Sequence, residues 1–326
     1  MKKKTNYLSV LITLLICTFF VFPNNGFSQE KAKPSTITLG AATVGGFWYV
    51  FAGAYGDALH KYNDTVVNVI QGGSIANIMG LEQGVYQMGL TNGQSVPEAL
   101  EGFGGFKKKH TSFQSIGGLY PNVFFIVVSA NSDIHTIKDL KGKRVSPGIK
   151  GYSGELVFQS VLKANGMSYD DLGKVNYVGT SDGADLLRDG HIDALLGMLN
   201  QPNSSIQELD STLRKGIRLI PLDEPTLKAL QAENPGYALY TIKSGTYKTE
   251  KNDIPTVSAF SVLLVRKDMP EQFVYDATKV LVEGKKTWGQ LSSVMADFDG
   301  KVALESSVGP LHPGAIRYYK EIGLMK

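Results

Sequence analysis

The sequence predicts an α/β protein of two lobes joined by a hinge, on three observations. Short β-branched runs alternate with helical patterns, as strands followed by covering helices do. Two longer strand-rich segments, 115–129 and 256–270, interrupt that alternation. The block between them carries strands and helices of its own, so it reads as one domain inserted into another and joined by two crossings.

In chain order, "TITLG" predicts a strand that leads into the helical pattern of "GGFWYVFAGAYGDALHKY", with Phe47, Val50, Phe51, Ala54, Leu59 and Tyr62 near helical spacing. "TVVNVI" leads through "QGGS" into the helix "IANIMGLEQG", and "KRVSPG" leads through "IKGYSG" into "ELVFQSVLKANG". The central block adds strands at "KVNYVG", "IDALLG" and "GIRLIPL". After the second crossing, 271–291 reads as one helix with Phe273, Ala277, Val280, Leu281, Gly284, Trp288 and Leu291 on one face. The expected division is 1–28 as a signal peptide, 29–125 with 261–326 as the first lobe, and 126–260 as the second. No fixed-period repeat is present, which excludes solenoids and propellers.

The chain has 326 residues, 43% hydrophobic and 19% charged, the composition of a globular protein with material for two domains. "MKKK" before the apolar run "LSVLITLLICTFFVF" and the small residues of "PNNGFSQE" predict export, with cleavage near Ser28-Gln29. That run of about 15 residues is shorter than the roughly 20 a membrane-spanning helix needs. Removal of Lys2, Lys3 and Lys4 brings the 33 basic residues level with the 30 acidic ones, leaving no basic excess for nucleic acid. Cys17, the single cysteine, leaves with the signal, so neither disulfides nor thiolate chemistry are expected. Export without disulfides suits a periplasmic protein.

Three strand-to-helix turns, at Gly45-Gly46, Gly72-Gly73-Ser74 and Ser153-Gly154, carry small residues where backbone amides can approach a ligand. A helix start leaves about four N–H groups without intrahelical partners and roughly half a positive charge, and so accepts an anion without lysine or arginine. A micromolar ligand needs about 8 kcal/mol. Charge-assisted hydrogen bonds contribute about 1.5–3 kcal/mol each, so several such ends acting together suffice where one does not. The same turns also occur throughout α/β proteins for geometry alone. None ends in the Gly-Lys-Ser/Thr of a phosphate loop.

"GAATVGGFWYV", "QGGSIANIMGLEQGVYQMGLTN", "IHTIKDLKGKRVSPGIKGYSGE", "LLRDGHIDALLGMLNQPNSSIQEL" and the closing "GPLHPGAIRYYKEIG" resemble the TAXI family of extracytoplasmic solute receptors, from about residue 35 to the C-terminus. That family serves tripartite ATP-independent periplasmic (TRAP) transporters. The resemblance implies a type II periplasmic-binding fold with two hinge crossings and a membrane translocator as partner. As ligand it implies a small carboxylate or amino acid such as 2-oxoglutarate, glutamate or glutamine. It places the ligand against Thr43, Gly45, Gly46 and Tyr49, then Ser74 and Asn77, then Thr91 and Asn92. From the second lobe it adds Ser146, Tyr152, Ser153, Gly154 and Glu155, with Gln201, Pro202 and Asn203. Two positions depart from the family's usual pattern: Gly40-Ala41-Ala42 lacks a hydroxyl, and Tyr152 and Glu155 add a ring and a carboxylate. Glu155 either complements the helix dipole or turns into the cleft to pair with an ammonium group.

Neither catalysis, a cofactor nor a metal is expected. His60, His110, His135, His191 and His312 lack metal-ligand spacing, and His312 in "LHPGA" reads as a structural hydrogen-bonding residue. "KKKH" from Lys107 reads as a solvated loop. "SVLK" at Ser160, "SDG" at Ser181 and "KSG" at Lys243 echo the three motifs of penicillin-recognising enzymes, but the first two are tightly spaced and Ser160 falls inside its helix. An exported hydrolase is thus the remote alternative, and a receptor presenting its ligand state to a signalling kinase the nearer one.

Overall fold

The computed structural model describes residues 32–326; the expected signal peptide lies outside them. Parallel strands β1 (Thr36–Gly40), β2 (Val66–Ile70) and β3 (Met88–Asn92) alternate with α1 (Phe47–Asn63) and α2 (Ser74–Glu82), and α3 (Ser95–Glu101) follows β3. The 17-residue strand β4 (Phe113–Ser129) comes next. The central block holds β5 (Arg144–Ser146), α4 (Ser153–Ala164), β6 (Lys174–Val175), α5 (Thr180–Arg188), β7 (Ala194–Leu199), α6 (Ser204–Thr212), β8 (Ile217–Leu219), α7 (Glu224–Glu233) and β9 (Ala238–Ile242). The 13-residue strand β10 (Ile254–Arg266) returns, and α8 (Glu271–Glu283), α9 (Lys285–Leu291), α10 (Gly300–Glu305) and α11 (Pro313–Glu321) complete the chain.

The strands pair in the order β2-β1-β3-β10-β4-β7-β5-β6, with β8 added to β4 and β9 to β10. The alternation predicts parallel pairing, and that holds within each block. Strands β10 and β4 differ: β10 is antiparallel to both β3 and β4, and β4 is antiparallel to β7. The reason is topological, since a chain that enters the inserted block along β4 returns along β10 beside it in the opposite direction.

These two strands belong to different cores along their length. On β4, Ile116, Leu119 and Tyr120 pack with α1 and α8, whereas Phe124, Ile126 and Val128 pack with α4. Val123, Phe125 and Val127 point to the opposite face and pack with α5 and α6, as the two-residue period of a strand requires. On β10, Val257 and Ala259 join the central block's core, while Leu263 and Val265 join the core of α1 and α8. Both changes occur where Phe260 faces Pro121 and Ala259 faces Asn122.

Two helices differ from expectation. The buried stripe of α1 is Trp48, Phe51, Ala52, Tyr55, Gly56, Leu59 and Asn63, so Val50 and Tyr62 face solvent. The helix expected over 271–291 is two, broken at Gly284, with Leu291 exposed. Trp288 packs across that break: a Cβ on Gly284 would overlap its indole, whose Nε1 donates to the Leu281 carbonyl at 2.8 Å. His312 takes its expected structural role, with Nδ1 accepting the Gly314 amide at 3.2 Å to cap α11. Lys107, Lys108 and Lys109 are solvated, but His110 is buried against Phe106.

Past the crossing, Asn234 joins α3 to the end of α7, its Nδ2 donating to the Gln94 carbonyl at 3.0 Å and to Glu98 Oε1 at 2.9 Å. Burial pushes the Glu98 carboxyl up from 4.5 to about 7; the amides of Gly105 and Asn234 only partly oppose it. Between those values the unfolded chain has released a proton that the folded chain retains. Stability from this group is therefore full below about pH 4.5 and falls as pH rises toward 7, by about 3 kcal/mol in total. Glu98→Gln is expected to stabilise the protein by about 2–3 kcal/mol more at pH 8 than at pH 5, measured by urea denaturation. An effect equal at the two pH values would show that the carboxyl titrates normally.

Candidate functional site

Four helices begin on one cavity of about 210 Å³. They are α1 after Gly46, α2 after Gly73, α4 after Tyr152 and α5 after Gly179, and each of these preceding residues lies on the cavity wall. None of the four starts has a side-chain cap. Elsewhere Asn203, Asp223, Asp299 and His312 accept the first-turn amides of α6, α7, α10 and α11, while α3, α8 and α9 also begin without a side-chain cap. The local cause is in the sequence: three of the four cavity starts have glycine where a cap would stand, and glycine offers no acceptor.

Aspartate, glutamate, lysine, arginine and histidine are all missing from the cavity wall among the described residues. Thr43, Ser74, Asn92, Asn122, Ser153 and Thr180 supply hydroxyls and amides, and Phe47, Trp48, Tyr120 and Met198 supply apolar surface. Burial raises the Tyr120 phenol well above its ordinary range, so it stays a neutral hydroxyl.

A continuous hydrogen-bonded seam runs along the site. Trp48 Nε1 and Asn122 Nδ2 both donate to Ser261 Oγ at 2.8 Å, and Asn122 Nδ2 donates to Asn92 Oδ1 at 2.6 Å. Asn92 Nδ2 donates to Ser153 Oγ at 2.9 Å, and the Asn92 amide donates to Ser74 Oγ at 3.0 Å. The two serine hydroxyls lie 3.2 Å apart, and the Tyr152 hydroxyl donates to the Gly72 carbonyl at 3.1 Å. The starts of α2 and α4 are thereby brought together through side chains on β3 and the two crossing strands.

Of the residues placed at the site from sequence, Thr43, Gly46, Ser74, Asn92, Tyr152, Ser153 and Gly154 line the cavity. Gly45 forms the turn before α1 with φ of 86°, and Tyr49 packs against the core. Asn77, Thr91 and Ser146 are buried behind the wall. Glu155 is buried and turned away from it: Oε2 accepts the Gly151 amide at 3.0 Å, and Oε1 accepts Gln159 at 2.6 Å and Tyr169 at 2.8 Å. Gln201, Pro202 and Asn203 lie just beyond the lining residue Asn200, and Asn203 caps α6. Tyr120, Asn122, Thr180 and the segment 197–200 also line the cavity and are not among the residues expected there. A signal for Asn122 was available, because it is the one amide inside the otherwise apolar run "YPNVFFIVV". Gly179-Thr180 repeats the strand-glycine-helix turn already singled out at three other places. As for the hydrolase motifs, Lys243 is ion-paired with Asp253 at 2.8 Å, and Ser160 lies within α4.

The sequence model described as the NMT1-like family matches residues 39–323. The chain belongs to the NMT1-like family. Its fold is the two-lobed α/β fold of periplasmic solute-binding proteins. PhnD1 from Prochlorococcus marinus, solved with methylphosphonate, aligns with a TM-score of 0.54 at 15% identity, over 90% of this chain and 100% of that one. XAC2383 from Xanthomonas citri, solved with a chloride ion, aligns with a TM-score of 0.51 at 13% identity, over 88% and 96%. The periplasmic aliphatic sulphonate binding protein SsuA from Escherichia coli aligns at 0.44 and 17% identity, over 89% and 84%. At these identities the likeness is one of fold.

The glycines of this NMT1-like chain do more than expose amides. Asn77 Nδ2 lies 3.0, 2.7 and 2.7 Å from the carbonyls of Gly40, Ala41 and Leu90, which share its two hydrogens and pin α2 to the end of β1 and the middle of β3. A Cβ on either Gly40 or Gly72 would overlap the Asn77 carboxamide. Gly72→Ala is therefore expected to lower unfolding free energy by about 1–3 kcal/mol, read by chemical denaturation. A change below about 0.5 kcal/mol, the scale of an ordinary surface substitution, would mean that Asn77 can move aside freely.

Proposed function

We propose that this protein is a periplasmic solute receptor of the TAXI type that encloses a small carboxylate and delivers it to a TRAP membrane translocator. One observation carries the ligand class: four uncapped helix starts face a cavity whose wall bears no charged side chain. Unmatched N–H groups and converging dipoles make such a volume favourable for an anion. The same wall without acids offers an ammonium group no ionic partner, and Glu155 is engaged elsewhere. The reading therefore favours a plain oxo- or dicarboxylate such as 2-oxoglutarate over glutamate or glutamine. The anions recorded with PhnD1 and XAC2383, methylphosphonate and chloride, agree in sign.

On this reading the lobes are 29–125 with 261–326, and 126–260, and the ligand sits between them. Ser74 and Asn92 belong to the first lobe, and Tyr152 and Ser153 to the second. Their hydrogen bonds form the latch of the closed state, and bending at Pro121-Asn122 and Phe260-Ser261 releases it. Binding energy enters as a preference for the closed form, the shape a translocator can distinguish from the open one. The TAXI assignment and its TRAP partner rest on the sequence resemblance, and genes for a fused TRAP membrane protein beside this one would support them. A histidine kinase gene in that position would support the sensing role instead.

Thermal unfolding of the purified mature protein tests the ligand class. Saturation with 2-oxoglutarate at about a hundred times its dissociation constant is expected to add about 2.7 kcal/mol and raise the melting temperature by several degrees. Ser153→Ala removes a hydroxyl donor and is expected to weaken carboxylate binding about tenfold or more, measured by calorimetry. A shift produced by neutral sugars and by no carboxylate would overturn the anion reading.

A further inference from the structure

A second cavity, of about 470 Å³, lies where the loop after α3 meets α4 and the end of α7. One side is Glu98, Gly104 and Gly105; the other is the outer half of α4 with Met167, Ser168, Tyr169, Glu233 and Tyr237. Its chemistry is opposite to that of the first. Glu98 is 6% exposed, and its Oε2, closed off from solvent, has no hydrogen-bond partner although Oε1 is held by Asn234, so a ligand in the cavity reaches it only by a turn of the carboxylate. The Gly105 amide favours the ionised carboxylate without a hydrogen bond to Oε2.

We infer that this cavity is a binding site for a small organic cation bearing a primary ammonium group, with Glu98 as its counter-ion. An ammonium carries three donors, and a carboxylate oxygen with unused lone pairs is its natural acceptor. The charge balance fits one positive charge. Of the two lining acids, Glu233 is already matched by Lys163 at 3.0 Å, which leaves Glu98 unmatched. The side chains of Leu156, Leu162 and Met167 offer apolar surface for a short carbon chain. A divalent metal fits less well, because calcium takes six to eight oxygen ligands and no cluster of three or more His, Cys, Asp or Glu exists among the described residues. The groups facing Glu98 from the elements packed on it are Glu233, which resists its ionisation, and the neutral Tyr237 and Asn234. Unpaired burial holds the Glu98 carboxyl near 7, and a bound ammonium would favour the ionised form.

Calorimetric titration of the mature protein with n-butylammonium chloride, against sodium chloride at equal ionic strength, tests the site. Saturable one-to-one binding by the amine at pH 8 is expected. Its affinity should fall about tenfold at pH 6, as a carboxyl titrating near 7 becomes protonated. Glu98→Gln keeps the Asn234 acceptor but removes the charge, and should weaken binding at least tenfold. Ser160→Phe, at a half-buried position on the cavity wall, should fill the space and do the same. Cooperative unfolding of both variants separates this loss from misfolding. Absence of saturation at pH 8, equal saturation by sodium, or wild-type affinity in Glu98→Gln would each overturn the assignment.

Discussion

The constraint on which the structure depends is the convergence of four uncapped helix starts on a volume of about 210 Å³. Amide groups pointing into a common space repel one another electrostatically and gain nothing from each other. They are tolerated because glycine and β-strand ends fix them rigidly and because packing elsewhere stabilises each helix. Helix α1 illustrates this: its start carries no cap, yet Phe51 and Tyr55 stack at 5.9 Å beneath Trp288 and bury its far side completely. Burial of each such ring is worth about 1.5–3 kcal/mol, more than the roughly 1 kcal/mol of a missing cap. The site's electrostatic character is thus maintained by apolar packing that never touches it.

The crossing strands convert that arrangement into a device with two sides. Asn122 on β4 and Ser261 on β10 lie near the point where both strands leave one core and enter the other. Their hydrogen bond joins the strands at the crossing, and Asn92 extends it to the hydroxyls of Ser74 and Ser153. Buried polar groups without partners are costly, so the seam specifies a particular juxtaposition of α2 and α4 more sharply than apolar contact would. Trp48 contributes from the side: its indole is mostly core, and its N–H satisfies the same Ser261 hydroxyl.

The fold class was legible because it depends on local alternation, and the glycine turns were legible because they break it. Three of the four helix starts were visible as Gly45-Gly46, Gly72-Gly73 and Ser153-Gly154; the fourth, Gly179-Thr180, has the same form and ends the strand expected at "KVNYVG", of which only Lys174–Val175 forms. The direction of a side chain was not legible. Glu155 sits one residue after the lining Gly154, and only the positions of Gly151, Gln159 and Tyr169 decide that its carboxylate turns away. Asn77 looked equally exposed to a ligand, but three carbonyls from two strands claim its amide. The antiparallel crossing was hidden for a related reason, since strand pairing at a separation of more than a hundred residues leaves no trace in a local pattern.

Helix α4 links the two cavities. Ser153 and Gly154 at its start line the first, and Leu156, Gln159, Ser160, Leu162 and Lys163 along its outer half line the second. The peptide dipoles of one helix are positive at its start and negative at its end, so the same element favours an anion in the first cavity and a cation toward its far end. Glu155 sits between these regions, and its three donors hold its side chain away from the first cavity. Both cavities also draw walls from α4 and from segments that precede β4. On the proposed readings, an anion and a cation bound at them would each prefer the closed arrangement, and thermodynamic reciprocity requires each to strengthen the other by the same factor. The opposite charges would then lie at opposite ends of one dipole rather than side by side, so occupancy of one site would not compete with the other.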